Sequence, residues 1–243
     1  MSVDDGKRTP VSTSALLTRA GRLLVANPRV FAGFVLAGVV VTAVDALRRG
    51  DPVPTVGFVG LLDGDISVTF GLVARVTPHA STPLSSLASL RTPWLLWTGG
   101  LELLRTGAVV GAGVYGFSRL LETTPSPATV LRYLVIFWGL ALLSFEADVG
   151  LFLGIPLLIL FFAVLVRLVA FPAFLVSGAS ITGALSRSWS RTAGDGWALF
   201  GVVFIVGFAN HALASVPTVG PVGSALAAAV QVAAVAAYVR HLR

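Results

Sequence analysis

Residues 149–172, VGLFLGIPLLILFFAVLVRLVAFP, carry one charge, Arg167. A helix that crosses a bilayer needs about 20 consecutive, mostly apolar residues, and this run is long enough. A helix apolar on all sides must be surrounded either by protein or by lipid. Composition decides between them: the 243 residues are 56% hydrophobic and 12% charged, against roughly 45–50% and about 25% in ordinary soluble domains. There is too little polar surface to wrap such segments in water, so lipid is the expected solvent.

Outward from this run the chain offers six candidate spans, at 30–47, 94–118, 129–147, 149–172, 196–215 and 219–239. The expected fold is therefore all-α, a polytopic bundle of six transmembrane helices. A polar tail over 1–13 is expected to be disordered, and 14–243 to form one integral membrane domain. The tail is no secretory signal, since no small-residue cleavage site follows the first apolar run, and span one is expected to persist in the mature protein. Glu146 and Asp148 mark a tight hairpin between spans three and four, and Pro217 and Pro221 mark another between five and six. Within 14–27, Leu16, Leu17, Ala20, Leu23 and Leu24 form one helical stripe, with Arg19 and Arg22 opposite; that pattern predicts a helix lying in the membrane interface.

The net charge of +6 comes almost entirely from arginine, with Lys7 the sole lysine. No basic stripe with interleaved aromatics is present, so no nucleic-acid partner is expected. Arginine in place of lysine, with abundant Ala, Gly and Val, suggests a GC-rich genome and a halophilic archaeal source. Lys7, Arg8, Arg19, Arg22, Arg29, Arg119, Arg132, Arg187, Arg191, Arg240 and Arg243 fall on one side of the six spans. Arg48, Arg49, Arg75 and Arg91 fall on the other. The excess places both termini in the cytoplasm of a multi-pass cell-membrane protein. The external loop, 48–93, contains DGDISVTFGLV (63–73), whose alternation after Asp63-Gly64 predicts a short β-hairpin; an interfacial or re-entrant segment is the alternative. Leu84, Leu87 and Leu90 predict a short surface helix ahead of span two.

Residues 185–197, LSRSWSRTAGDGW, follow span four. As a helix, 180–193 would set Ile181, Leu185 and Trp189 on one face and Arg187 and Arg191 on the other, with Gly194 ending it and Asp195 capping span five. Trp189 and Trp197 would then sit at headgroup level beside two phosphate-seeking arginines. FPAFLVSGASITGALSRSWSRTAGDGW (171–197), through Pro172, Gly178, Ala184, Leu185, Ser188, Trp189 and Gly194, resembles a pattern following the fourth helix in one membrane-protein family. That family contains the membrane domain of glycerophosphodiester phosphodiesterases and free-standing prokaryotic members of unknown role. The run ending in Asn27-Pro28 before span one is similar too. The resemblance implies a six-span domain with cytoplasmic termini and little chemistry, since the hydrolase activity of the fused relatives belongs to a separate soluble domain for which no length remains here.

Glu102 and Arg105 lie mid-span, where a charge costs about 2.5–3.5 kcal/mol on insertion scales. Their i, i+3 spacing lets them pair, either as a structural pair or as part of a polar path. Asp45 and Arg167 lie near span ends and can snorkel. His79, His211 and His241 share no helix turn, so no metal site is expected. Gly178-Ala179-Ser180-Ile181 misses the final glycine of an intramembrane serine protease motif, and Asn210-His211 is expected to hydrogen-bond across helices. Gly107, Gly111, Gly113 and Gly116, with the alanines of 225–237, suggest close helix packing. The expected role is non-enzymatic, without cofactor, associated with membrane lipids or other membrane proteins; the alternative is a small transporter or channel using Glu102 and Arg105.

Overall fold

The computed structural model describes residues 11–58, 73–87, 90–142 and 151–242. Helix α1 (Thr13–Ala26) starts on Ser12, whose hydroxyl accepts from the Ala15 N–H at 3.2 Å. It stops at Asn27, whose amide donates back to the Leu23 carbonyl at 3.0 Å. Pro28 then opens α2 (Pro28–Arg49) at a position where a backbone N–H has no helical acceptor anyway. The stripe read on α1 is real, but it faces protein. Leu16 and Ala20 are fully buried, Leu17, Leu23 and Leu24 pack on the core, and Arg19 and Arg22 stay exposed.

The partner of that stripe is α10 (Gly220–His241), the central helix of the bundle, which packs against α1, α2, α4 (Thr92–Leu121), α7 (Phe171–Val176) and α9 (Gly196–Ala214). Its alanines explain the position: Ala225, Ala228, Ala229, Ala233 and Ala236 are fully buried, and small side chains let neighbouring backbones approach on several sides. One close approach is at Gly38 of α2, where an added Cβ would lie 2.8 Å from the Val222 Cα and 3.0 Å from the Ala225 Cβ. On α4, Gly113 and Gly116 pack against Tyr133 and against Val232, Phe34 and Val30. Gly107 and Gly111 instead point outward into open space, so only half of that glycine series serves packing.

Among the described residues, four stretches are long and apolar enough to cross a membrane: Pro28–Arg49, Ile159–Val176, Gly196–Ala214 and Gly220–His241. The last is 72% buried in the bundle, against 39% for the first and third, which leaves much of those two apolar faces directed outward. Helix α4 has 30 residues but holds Glu102 and Arg105, and α5 (Pro127–Leu142) has 16. The expected hairpin at Glu146 and Asp148 lies outside the described residues. Span four is not one rod: α6 (Leu151–Leu168) breaks before α7, with Pro172 in the first turn of α7.

The predicted hairpin over 63–73 falls almost wholly outside the described residues. What pairs among them is the base of the loop, β1 (Val56–Gly57) antiparallel to β2 (Ala80–Ser81), with Val56 opposite Ser81. From residue 73 to β2 the chain runs through the bundle as non-helical backbone, and Val73, Ala74 and Val76 are part of the hydrophobic core. Side chains satisfy it. The Thr77 N–H donates to Ser224 Oγ at 2.9 Å, the Thr77 hydroxyl to Asn210 Oδ1 at 2.8 Å, and Asn210 Nδ2 to the carbonyls of Arg75 and Ser224, both at 3.1 Å. Buried irregular backbone has to find its hydrogen-bond partners in this way. The surface helix before α4 is present but short, α3 (Leu84–Leu87).

Helix α8 (Ile181–Arg191) starts on Ser180, whose hydroxyl accepts from the Gly183 N–H at 3.1 Å. Ala184 and Ser188 face the bundle, and Ser188 Oγ and Thr192 Oγ1 donate to the Arg167 carbonyl at 2.7 and 3.3 Å, closing the end of α6. The helix ends at Arg191 with Thr192 as its C-cap, earlier than Gly194. Nor does Asp195 cap α9 through its side chain. Its oxygens accept instead from the Val11 N–H at 3.2 Å and the Tyr238 hydroxyl at 3.2 Å, tying α1 and α10 to the start of α9.

Candidate functional site

Where α2, α4 and β2 meet, four charged side chains converge. Glu102 and Arg105 pair as their spacing predicts, Arg105 Nη2 to Glu102 Oε2 at 2.5 Å. The carboxylate's other oxygen takes Arg48 Nη2 at 2.9 Å. Arg48, counted from sequence as a loop charge, lies in the last turn of α2 with its side chain fully buried. It also donates to the Thr98 carbonyl at 3.2 Å and to the Thr82 hydroxyl, while Arg105 Nη1 donates to the Ala80 carbonyl at 3.1 Å. Asp45, one turn before Arg48, does not snorkel: it is 2% exposed and accepts the His79 N–H at 2.6 Å.

Two acids and two arginines make this set formally neutral, which is the condition for burying charge at tolerable cost. Chemically it clamps the base of the loop between α2 and α4 onto those two helices. His79 adds a third tie, since its Nε2 lies 2.6 Å from the Ala214 carbonyl at the end of α9 and therefore carries the proton. The ring of Phe58 stacks on His79 at 5.9 Å and tilts against His211 at 5.3 Å. His211 Nε2 is buried without a hydrogen-bond partner among the described residues. Thus Asn210 makes the cross-element bonds expected of the Asn-His pair, and His211 packs instead. Ser180 serves as the α8 cap, and among the described residues no group of three or more metal-ligating side chains converges.

A cavity of ≈ 200 Å³ lies between the 73–80 segment, α9 and α10, lined by Val73, Arg75, Thr77, Val203, Asn210 and Gln231 among others. It does not include Glu102. The Arg75 guanidinium carbon sits 5.9 Å from the centre of the Phe137 ring on α5, a cation–π contact.

At the opposite end of the bundle, Arg19, Arg22, Leu23 and Ala26 of α1 face Ala237, Arg240 and His241 of α10 across an open groove of ≈ 470 Å³. Arg240 is held by Glu122 at 2.6 Å. Nearby on α8, Ile181, Leu185 and Trp189 are all exposed, as are Arg187 and Arg191, and Trp197 at the start of α9 is 87% exposed. The apolar face of α8 is therefore turned away from the bundle. Arg167 stacks over the Trp189 ring at 5.9 Å. Trp94 and Trp97 are exposed at the start of α4, the other end of the molecule. No family model, no curated protein and no solved structure matches the chain.

The sequence reading brought Glu102 to Arg105 but missed Arg48, Asp45, His79 and Thr82. The only local signal was Asp45-x-x-Arg48, an acid and a base one turn apart at a helix end.

Proposed function

We propose that the protein is a six-crossing integral membrane protein with both termini in the cytoplasm. It works without enzymatic chemistry, by holding anionic lipid at its cytoplasmic edge. The observation that carries this reading is the groove between α1 and α10, where three arginines and a histidine stand over the apolar Leu23, Ala26 and Ala237. Cations above an apolar floor match a phospholipid, phosphate on the arginines and acyl chain on the floor. Exposed tryptophans at both ends of the bundle, Trp94 and Trp97 at one and Trp189 and Trp197 at the other, support a bilayer between them, since indole rings favour the headgroup level. The likeness of 171–197 to the membrane domain of glycerophosphodiester phosphodiesterases is in keeping with a role carried by lipid contact. Transport through Glu102 is disfavoured, because a carboxylate shared by two arginines has to lose both to carry a proton or an ion.

The test is lipid retention. Protein purified from bilayers of mixed phosphatidylglycerol and phosphatidylcholine is expected to keep phosphatidylglycerol in native mass spectra, and Arg19→Gln with Arg22→Gln to lose it. Equal retention of both lipids by the unaltered protein would overturn the reading.

A further inference from the structure

Arg75 stands apart from the other internal charges. It lies on the 73–80 segment between buried Ala74 and Val76, against a cavity whose walls reach Gln231 near the middle of α10 and Val203 near the middle of α9. Arg48 and Arg105 each have Glu102; among the described residues no carboxylate pairs with Arg75, and the Phe137 ring is its charge contact. Arg75 is half-buried; arginine keeps its proton at any physiological pH, and a cation drawn partly out of water is stabilised by an anion. We propose that this cavity is a binding site for a small monocarboxylate, its carboxylate on Arg75 and its short alkyl chain against Val73, Val203 and Val206.

Size and chemistry set the class. At the ~30 Å³ that a water molecule occupies in the liquid, the ≈ 200 Å³ cavity has room for about six or seven water-sized groups, enough for a carboxylate of about four carbons. Arginine's planar fork matches the two oxygens of a carboxylate. A doubly charged phosphate finds one cation, with Val73, Val76, Val203 and Val206 on the walls. Asn210 is committed, with its oxygen and both amide hydrogens used on Thr77, Arg75 and Ser224, so it shapes the wall while Arg75 supplies recognition.

The probe is butyrate, added to the purified full chain in lipid nanodiscs and read by calorimetry, with chloride and inorganic phosphate as comparisons. Saturable butyrate binding is expected, stronger than either inorganic anion, and Arg75→Gln should weaken it at least about tenfold. Should Arg75→Gln fail to fold, Val203→Phe fills the cavity while leaving the cation, and is expected to abolish binding. Absence of butyrate binding, tighter binding of phosphate or chloride, or binding unchanged in Val203→Phe would each overturn the proposal. Lipid retention at the α1–α10 groove is untouched by either variant, so the two readings fail separately.

Discussion

Glu102 is the residue on which the end of the bundle nearest the α2–α4 loop turns. With one carboxylate between two guanidinium groups, Glu102→Gln leaves Arg48 buried beside Arg105 with no neutralising charge from that carboxylate. Removing one partner of a buried ion pair costs about 3–5 kcal/mol. Glu122, which holds Arg240 at the exposed end, offers the comparison, since exposed pairs are worth at most about 1 kcal/mol. Unfolding in detergent is expected to show Glu102→Gln strongly destabilised and Glu122→Gln nearly unchanged; equal effects would mean that the Glu102 pair is solvated. The Glu102–Arg105 half of this network was legible because both residues sit on one helix at fixed spacing. Arg48 was not, because its partner lies 54 positions along the chain, and periodicity carries no information across that distance.

At the scale of elements, glycine distinguishes faces that the sequence treats alike. Gly38→Ala drives a methyl group into the backbone of α10, and overpacking of this kind costs about 1–3 kcal/mol. Gly111→Ala meets nothing and is expected to stabilise α4 by up to about 1 kcal/mol through helix propensity. Thermal midpoints of the two variants should therefore move in opposite directions. Helical spacing identified both glycines but could not say which side of the helix meets protein. The same limit applies to α1, whose apolar stripe suits a lipid surface and α10 equally well; fully buried Leu16 decides for α10. Helix α8 is the reverse case, with its tryptophan face left unpacked. Lipid brominated near the headgroup should quench Trp189 and Trp197 strongly, and a uniform weak quenching of all tryptophans would count against an interfacial α8.

For the whole molecule, apolar run length and proline position placed α2, α9 and α10 within a few residues of their ends, since those features depend only on local sequence. The path of 73–80 through the bundle was not legible, because its backbone is satisfied by Asn210 and Ser224, more than a hundred residues away. The proposed topology requires helices that cross a bilayer, α4 among them despite Glu102. The chain has no cysteine, so single introduced cysteines report side without background. Labelling with a membrane-impermeant maleimide on intact cells is predicted to modify Thr55→Cys in the external loop, and to leave Thr124→Cys, between α4 and α5, and Ser190→Cys on α8 unmodified until the cells are permeabilised. Modification of Thr55→Cys and Thr124→Cys from the same side would mean that α4 does not cross, and would contradict the account.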